Sequence, residues 1–99
     1  MAIAAIVRTY TGERIASSID VSFNSMVEMA VLAELHLLAN VDPYDDTVFN
    51  RSQVGTLVRE VALLRRLHPD QEADAIRELG RLANLVEEKP HRYLVFVGD

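Results

Sequence analysis

The chain has no cysteine, no tryptophan, a single lysine and no long hydrophobic run, and each shortage closes off a class of chemistry. Without cysteine there is no disulfide, no thiol nucleophile and no thiolate zinc site. A cytoplasmic address is the corresponding expectation. The longest apolar stretch, Met29 to Ala39, is broken by Glu34 and His36 and falls well short of the roughly 18 residues that a membrane span requires. The opening "MAIAAIVRTYTG" places no basic segment ahead of its apolar residues, which stop after about six, too few for a secretory leader. A soluble protein with no membrane partner is expected. The four glycines fall at positions 12, 55, 80 and 98, too scattered to cradle a phosphate.

Positive charge is also scarce. Ten basic side chains against 15 acidic ones leave a net charge of -5, without the positive footprint that phosphate-backbone binding demands. Nucleic acid is therefore not an expected partner. Nine of the ten basic residues are arginine; with alanine abundant, this usage points to a GC-rich bacterial coding sequence.

What is present is a globular composition: 49% of the 99 residues are hydrophobic and 25% charged. A chain of this size buries roughly 60 to 68% of its unfolded surface, enough for one core. Residues 1–99 are read as a single domain.

Ile3 to Tyr10 reads as a strand that turns at Gly12, and Ile15, Ser17, Ile19, Val21 and Phe23 then alternate with polar residues, a hairpin pattern. In "NSMVEMAVLAELHLLAN", Ser25 and Glu28 have capping-box spacing, which predicts a helix from there to about Ala39. A second helix is predicted from about Ser52 to Leu67, with Val54, Leu57, Val58, Val61 and Leu64 as its stripe. A third is predicted from Pro69 to Glu88, with Ala75, Ile76, Leu79, Leu82, Ala83 and Val86 on its apolar face. Tyr93 to Val97 is an unbroken, β-rich apolar run, the pattern of a strand buried on both faces and placed beside the first. The expected fold is α+β: a small three-stranded sheet, N-terminal hairpin plus C-terminal strand, packed against three helices in the order β-β-α-α-α-β.

The first helix is apolar nearly all round, because Glu28, Glu34 and His36 point in three directions. Either it lies at the centre of the fold or its surplus apolar surface meets another molecule. On the second reading Met29, Leu32, His36 and Leu37 form a dimer or partner interface. The two-faced last strand points the same way, towards a homodimer.

The loop "VDPYDDTVFN" gathers Asp42, Asp45 and Asp46 around Tyr44 and Phe49. A calcium loop of the EF-hand type needs glycine at its sixth position and glutamate at its twelfth; counted from Asp42 these are Thr47 and Gln53. No metal is expected there. The local reading is that Asp42 opens a turn at Pro43-Tyr44, Val48 and Phe49 pin the loop to the core, and Asn50 or Ser52 caps the next helix. The functional reading makes Asp42, Tyr44, Asp45, Asp46 and Phe49 a partner-binding surface, suited by charge and by an aromatic anchor to a basic cleft.

His36, His68 and His91 fall on separate elements, with no Ser-His-Asp or His-x-x-x-His arrangement. No catalytic residue and no cofactor is expected. A ligand-binding or enzymatic domain, with His36 and Tyr93 meeting between the sheet and the first helix, is the alternative. His68-Pro69-Asp70, after a helix bearing Arg59, Arg65 and Arg66, resembles the tripeptide of J-domain co-chaperones, which implies an adaptor that engages heat-shock chaperones. Its local reading is a helix start, with proline at the first position and Asp70, Glu72 and Asp74 facing the helix dipole. The leading expectation is a small acidic bacterial interaction module of the immunity-protein, antitoxin or accessory-subunit kind, not an enzyme.

Overall fold

The alternation at the N-terminus becomes β1 (Ala4–Thr9), paired antiparallel to β2 (Arg14–Ser17) across a turn in which Gly12 has φ 94°. The computed structural model describes residues 2–98. A bulge between Val7 and Arg8 shifts the register, and β2 stops much sooner than its alternation predicts. Asp20 adopts a left-handed φ of 54° and Ile19 is exposed. The chain stays beside β1 through single bonds instead: Ser18 N–H to Ala5 O at 2.8 Å, and Phe23 N–H to Ile3 O at 3.0 Å.

The first helix, α1 (Asn24–Leu32), is nine residues long and ends well before Ala39. The Ser25-x-x-Glu28 capping box does not form; Phe23 is the N-cap and no side chain caps the helix. Tertiary contacts set this start: Phe23 is buried edge-on against Phe96, ring centroids 5.5 Å apart, and Asn24 Oδ1 accepts from Ile3 N–H at 2.7 Å. The helix closes in a Schellman arrangement. Leu35 N–H reaches Ala30 O at 3.0 Å, Glu34 N–H reaches Val31 O at 3.1 Å, and Glu34 takes the left-handed position at φ 57°. A single 3₁₀ turn, Leu38–Asn40, follows.

The aspartate-rich loop contains a fourth strand that periodicity does not disclose, β3 (Asp46–Phe49), so the order is β-β-α-β-α-α-β rather than β-β-α-α-α-β. Four residues are too few for alternation to register; pairing to β4 (Arg92–Val97) makes them a strand. The sheet is antiparallel throughout, in the order β2-β1-β4-β3. The last strand is therefore interior and lies beside β1, as its composition predicts.

Asn50 caps α2 (Arg51–Leu67) in a complete capping box with Gln53. Pro69 does not start the third helix. Proline disfavours helical backbone in the residue before it, so α2 ends at Leu67; residues 68–72 turn the chain, and α3 (Ala73–Glu88) begins after Glu72. Of the acidic residues expected in its first turn, only Asp74 lies there.

All three helices pack on one face of the sheet, where Ala5, Val7, Leu94 and Phe96 join α1, α2 and α3 in one hydrophobic cluster. The opposite face carries the row Ile6, Val95 and Val48, set by the registers Ile6↔Val95 and Val48↔Val95. Val95 is nevertheless completely buried, in keeping with an interior strand. No helix of the described residues is long and apolar enough to cross a membrane.

Candidate contact surface

The loop after the 3₁₀ turn is held by its own aspartates. Asp42 carboxylate accepts from Tyr44 N–H at 2.8 Å, closing the turn predicted at Pro43-Tyr44, and Asp42 N–H donates to Thr47 Oγ1 at 2.9 Å. Asp45 Oδ1 accepts from Asp46 N–H at 2.8 Å, and Gly98 N–H ties the loop to the end of β4 through Asp45 O at 3.1 Å. The approach is so close that a Cβ on Gly98 would lie 2.5 Å from Asp42 O and 2.6 Å from Asp45 N. Bonding thus fixes the loop and leaves Asp42, Asp45 and Asp46 exposed. Tyr44, 70% exposed, stands beside them.

Phe49 does not belong to that surface. It is 4% exposed and packs edge-on against Phe96 at 5.9 Å between ring centroids, so it anchors the loop from below. Val48, its expected companion in that role, points to the open sheet face and is half exposed.

The residues singled out on the first helix also divide. Met29 is buried in the core and Leu37 packs partly against it, whereas Leu32 is 86% exposed and His36 is exposed on the link after α1. Val31, not singled out in the sequence, is 53% exposed beside Leu32. Early termination explains this pair: when the helix stops at Leu32, its last turn has nothing packed outside it. Val31 and Leu32 line a shallow groove of about 540 Å³ with Val27, Glu28, Val41 and Pro43. The structure thereby joins two regions read separately in the sequence, the over-apolar helix and the aspartate loop, through Val41 and Pro43. The groove's lining contains one charged side chain, Glu28, and no basic one.

A residue of the second helix holds this arrangement together. Glu60 is buried, and its carboxylate accepts from Leu37 N–H at 3.0 Å and Leu38 N–H at 2.9 Å. It thus satisfies the backbone where α1 gives way to the 3₁₀ turn. A signal for it exists in the sequence: glutamate three residues after Leu57, on the face that carries Val54, Leu57, Val61 and Leu64.

The other candidates do not converge. Tyr93 pairs with Arg8 and lines a shallow depression with Tyr10 and Val48 on the helix-free side of the sheet, so it shares no pocket with His36. His91 stacks at a tilt on Tyr10, ring centroids 5.3 Å apart, and His68 is the C-cap of α2. Among the described residues no histidine side chain is hydrogen-bonded to a carboxylate or hydroxyl, and no three His, Asp or Glu side chains are grouped to hold a metal. No family model, no curated protein and no solved structure matches the chain.

Proposed function

We propose that this chain is a non-catalytic protein–protein interaction module, of the immunity-protein, antitoxin or accessory-subunit kind, whose contact surface is the end of α1 together with the Asp42–Asp46 loop. One observation carries the reading: Leu32, 86% exposed, tops an apolar groove that has only acidic charge in its lining and an acidic loop at its margin. Exposure of a large apolar side chain is common singly; a contiguous patch with polar margins marks a binding surface. The sign of the margin selects a basic partner, steering its approach, while Leu32, Val31 and Tyr44 supply the anchor.

The test is site-specific photocrosslinking in the native cell, with the reactive side chain at Leu32 or Tyr44 and a control at exposed Ser52. Discrete adducts from the first two positions and none from the third are expected. Asp46→Lys, at an exposed position, and Leu32→Asp should remove the adducts formed through the neighbouring position while leaving the melting temperature unchanged. Equal labelling from all three positions would refute the assignment.

A further inference from the structure

Two surfaces of this chain complement one another. The first is the α1 ridge, where Val31 and Leu32 are exposed between Glu28 and Glu34. The second is a groove of about 680 Å³ between α2 and α3, with Val61, Ile76 and Leu79 in its floor and Arg65, Arg66 and Arg77 along it. In a chain of net charge -5, no acidic residue lines this groove. Arg77 pairs with Asp74, but Arg65 and Arg66 form no ion pair among the described residues, and neither do Glu28 and Glu34. Gly80 also lies in the lining. Glycine weakens a helix interior, yet a Cβ there would meet nothing within 4 Å. The fold does not require the glycine; its missing side chain leaves room for another surface to approach the α3 backbone.

We infer that the α1 ridge of one copy seats in the α2–α3 groove of a second copy, Leu32 entering the apolar floor and Glu28 and Glu34 facing Arg65 and Arg66. This rests on the reading of the ridge as a contact surface and names the partner: a basic, apolar counter-surface is built into the chain itself. Burial of Leu32 and Val31 supplies one share of the affinity, and the facing charges supply a second, salt-sensitive share together with orientation and encounter rate. Used reciprocally, the contact closes a two-fold dimer; used in one direction, it builds a ring or filament.

The experiment is light scattering on the purified full chain at concentrations up to about 100 μM, repeated at roughly 1 M salt, where the screening length falls to about 3 Å. A mass at least twice the 11.1 kDa of the chain, falling back in high salt, is expected. Leu32→Asp and Gly80→Leu should each weaken association about tenfold or more, the share of one buried leucine, with the melting temperature retained. Mixing these two variants should give tighter association than either shows alone, because one brings an intact groove and the other an intact ridge. A monomer at every concentration, or association that survives either substitution, overturns the inference. A monomer whose Leu32 crosslinks a different protein in the cell ends this inference and leaves the proposed function standing; association through another surface, with no adduct at Leu32, ends both.

Discussion

Removing the Glu60 carboxylate tests the account of how α1 is ended and the contact surface held. In Glu60→Ala the amide of Leu38, buried in the core, and that of Leu37, partly buried, lose their acceptors at 2.9 and 3.0 Å. A buried donor left unsatisfied costs about 1–3 kcal/mol. Leu38 is charged with the full cost and Leu37, which water can reach, with about half, for a total of roughly 2–4 kcal/mol. At about 4–8 °C per kcal/mol for a domain of this size, the melting temperature should fall by roughly 8–32 °C. Urea unfolding followed by circular dichroism provides the assay, and an unchanged m-value would confirm that the two end states are comparable. Two further variants separate hydrogen bonding from packing. Glu60→Gln keeps one acceptor oxygen and should recover about half the loss, whereas Glu60→Met fills the space without accepting and should recover little. A methionine variant as stable as the parent, or an alanine variant within about 0.5 kcal/mol of it, would refute the reasoning.

Three other outcomes follow from the geometry. Glu34→Gly relieves a left-handed residue at φ 57° and should stabilise the fold by about 0.5–1 kcal/mol in the same assay, the release of Cβ strain outweighing the added freedom of the unfolded chain. Gly98→Ala forces a Cβ to within 2.6 Å of Asp45 backbone atoms and should cost about 1–3 kcal/mol; hydrogen exchange at the Gly98 amide, bonded to Asp45 O, should quicken, and unchanged protection would contradict the tie. Glu78 accepts from the Arg81 guanidinium at 2.8 Å and from Ile19 N–H at 2.6 Å, and the Arg81 bond, aided by the Ile19 amide, holds its carboxyl below the ordinary value of 4.5 against the upward push of partial burial. A depressed folded value means the stabilisation is complete above 4.5 and is lost as the pH falls through the folded value. The stability gap between the parent and Glu78→Gln should therefore be widest near neutrality and narrow in acid; a gap independent of pH would remove the ion pair from the account.

Much of the fold was legible in the residues. The stripes of α2 and α3, Val54 to Leu64 and Ala75 to Val86, repeat at helical spacing over about three turns each, long enough for periodicity to speak, and the run Tyr93–Val97 marks an interior strand. Asn50 has the residue type of an N-cap and caps α2, and the turn at Asp42 closes as its side chain allows. The errors lie where local and tertiary demands compete. Ser25 and Glu28 had the right spacing for a capping box, but burial of Phe23 and the bond from Asn24 to Ile3 set the helix start elsewhere. Apolar residues ran on past Leu32 without a glycine or proline, so nothing local announced that the helix would stop there. For the contact surface, composition identified the helix and the loop, but assigned Phe49 and Met29 to the outside because an apolar side chain does not declare which way it points.

Residue type and spacings within one element are enough for the α+β class, two of the three helices, the interior strand and the absence of thiol chemistry. Tertiary structure decided the fourth strand, the end of α1 and the meeting of Leu32 with Pro43, because each depends on residues distant in the chain. Four residues become a strand when β4 offers its edge, and a left-handed Glu34 is tolerated when Glu60, 26 positions later, supplies the acceptors that a continuing helix would have provided. Pairing and satisfaction of buried backbone groups are long-range requirements, and no local pattern records where they will be met.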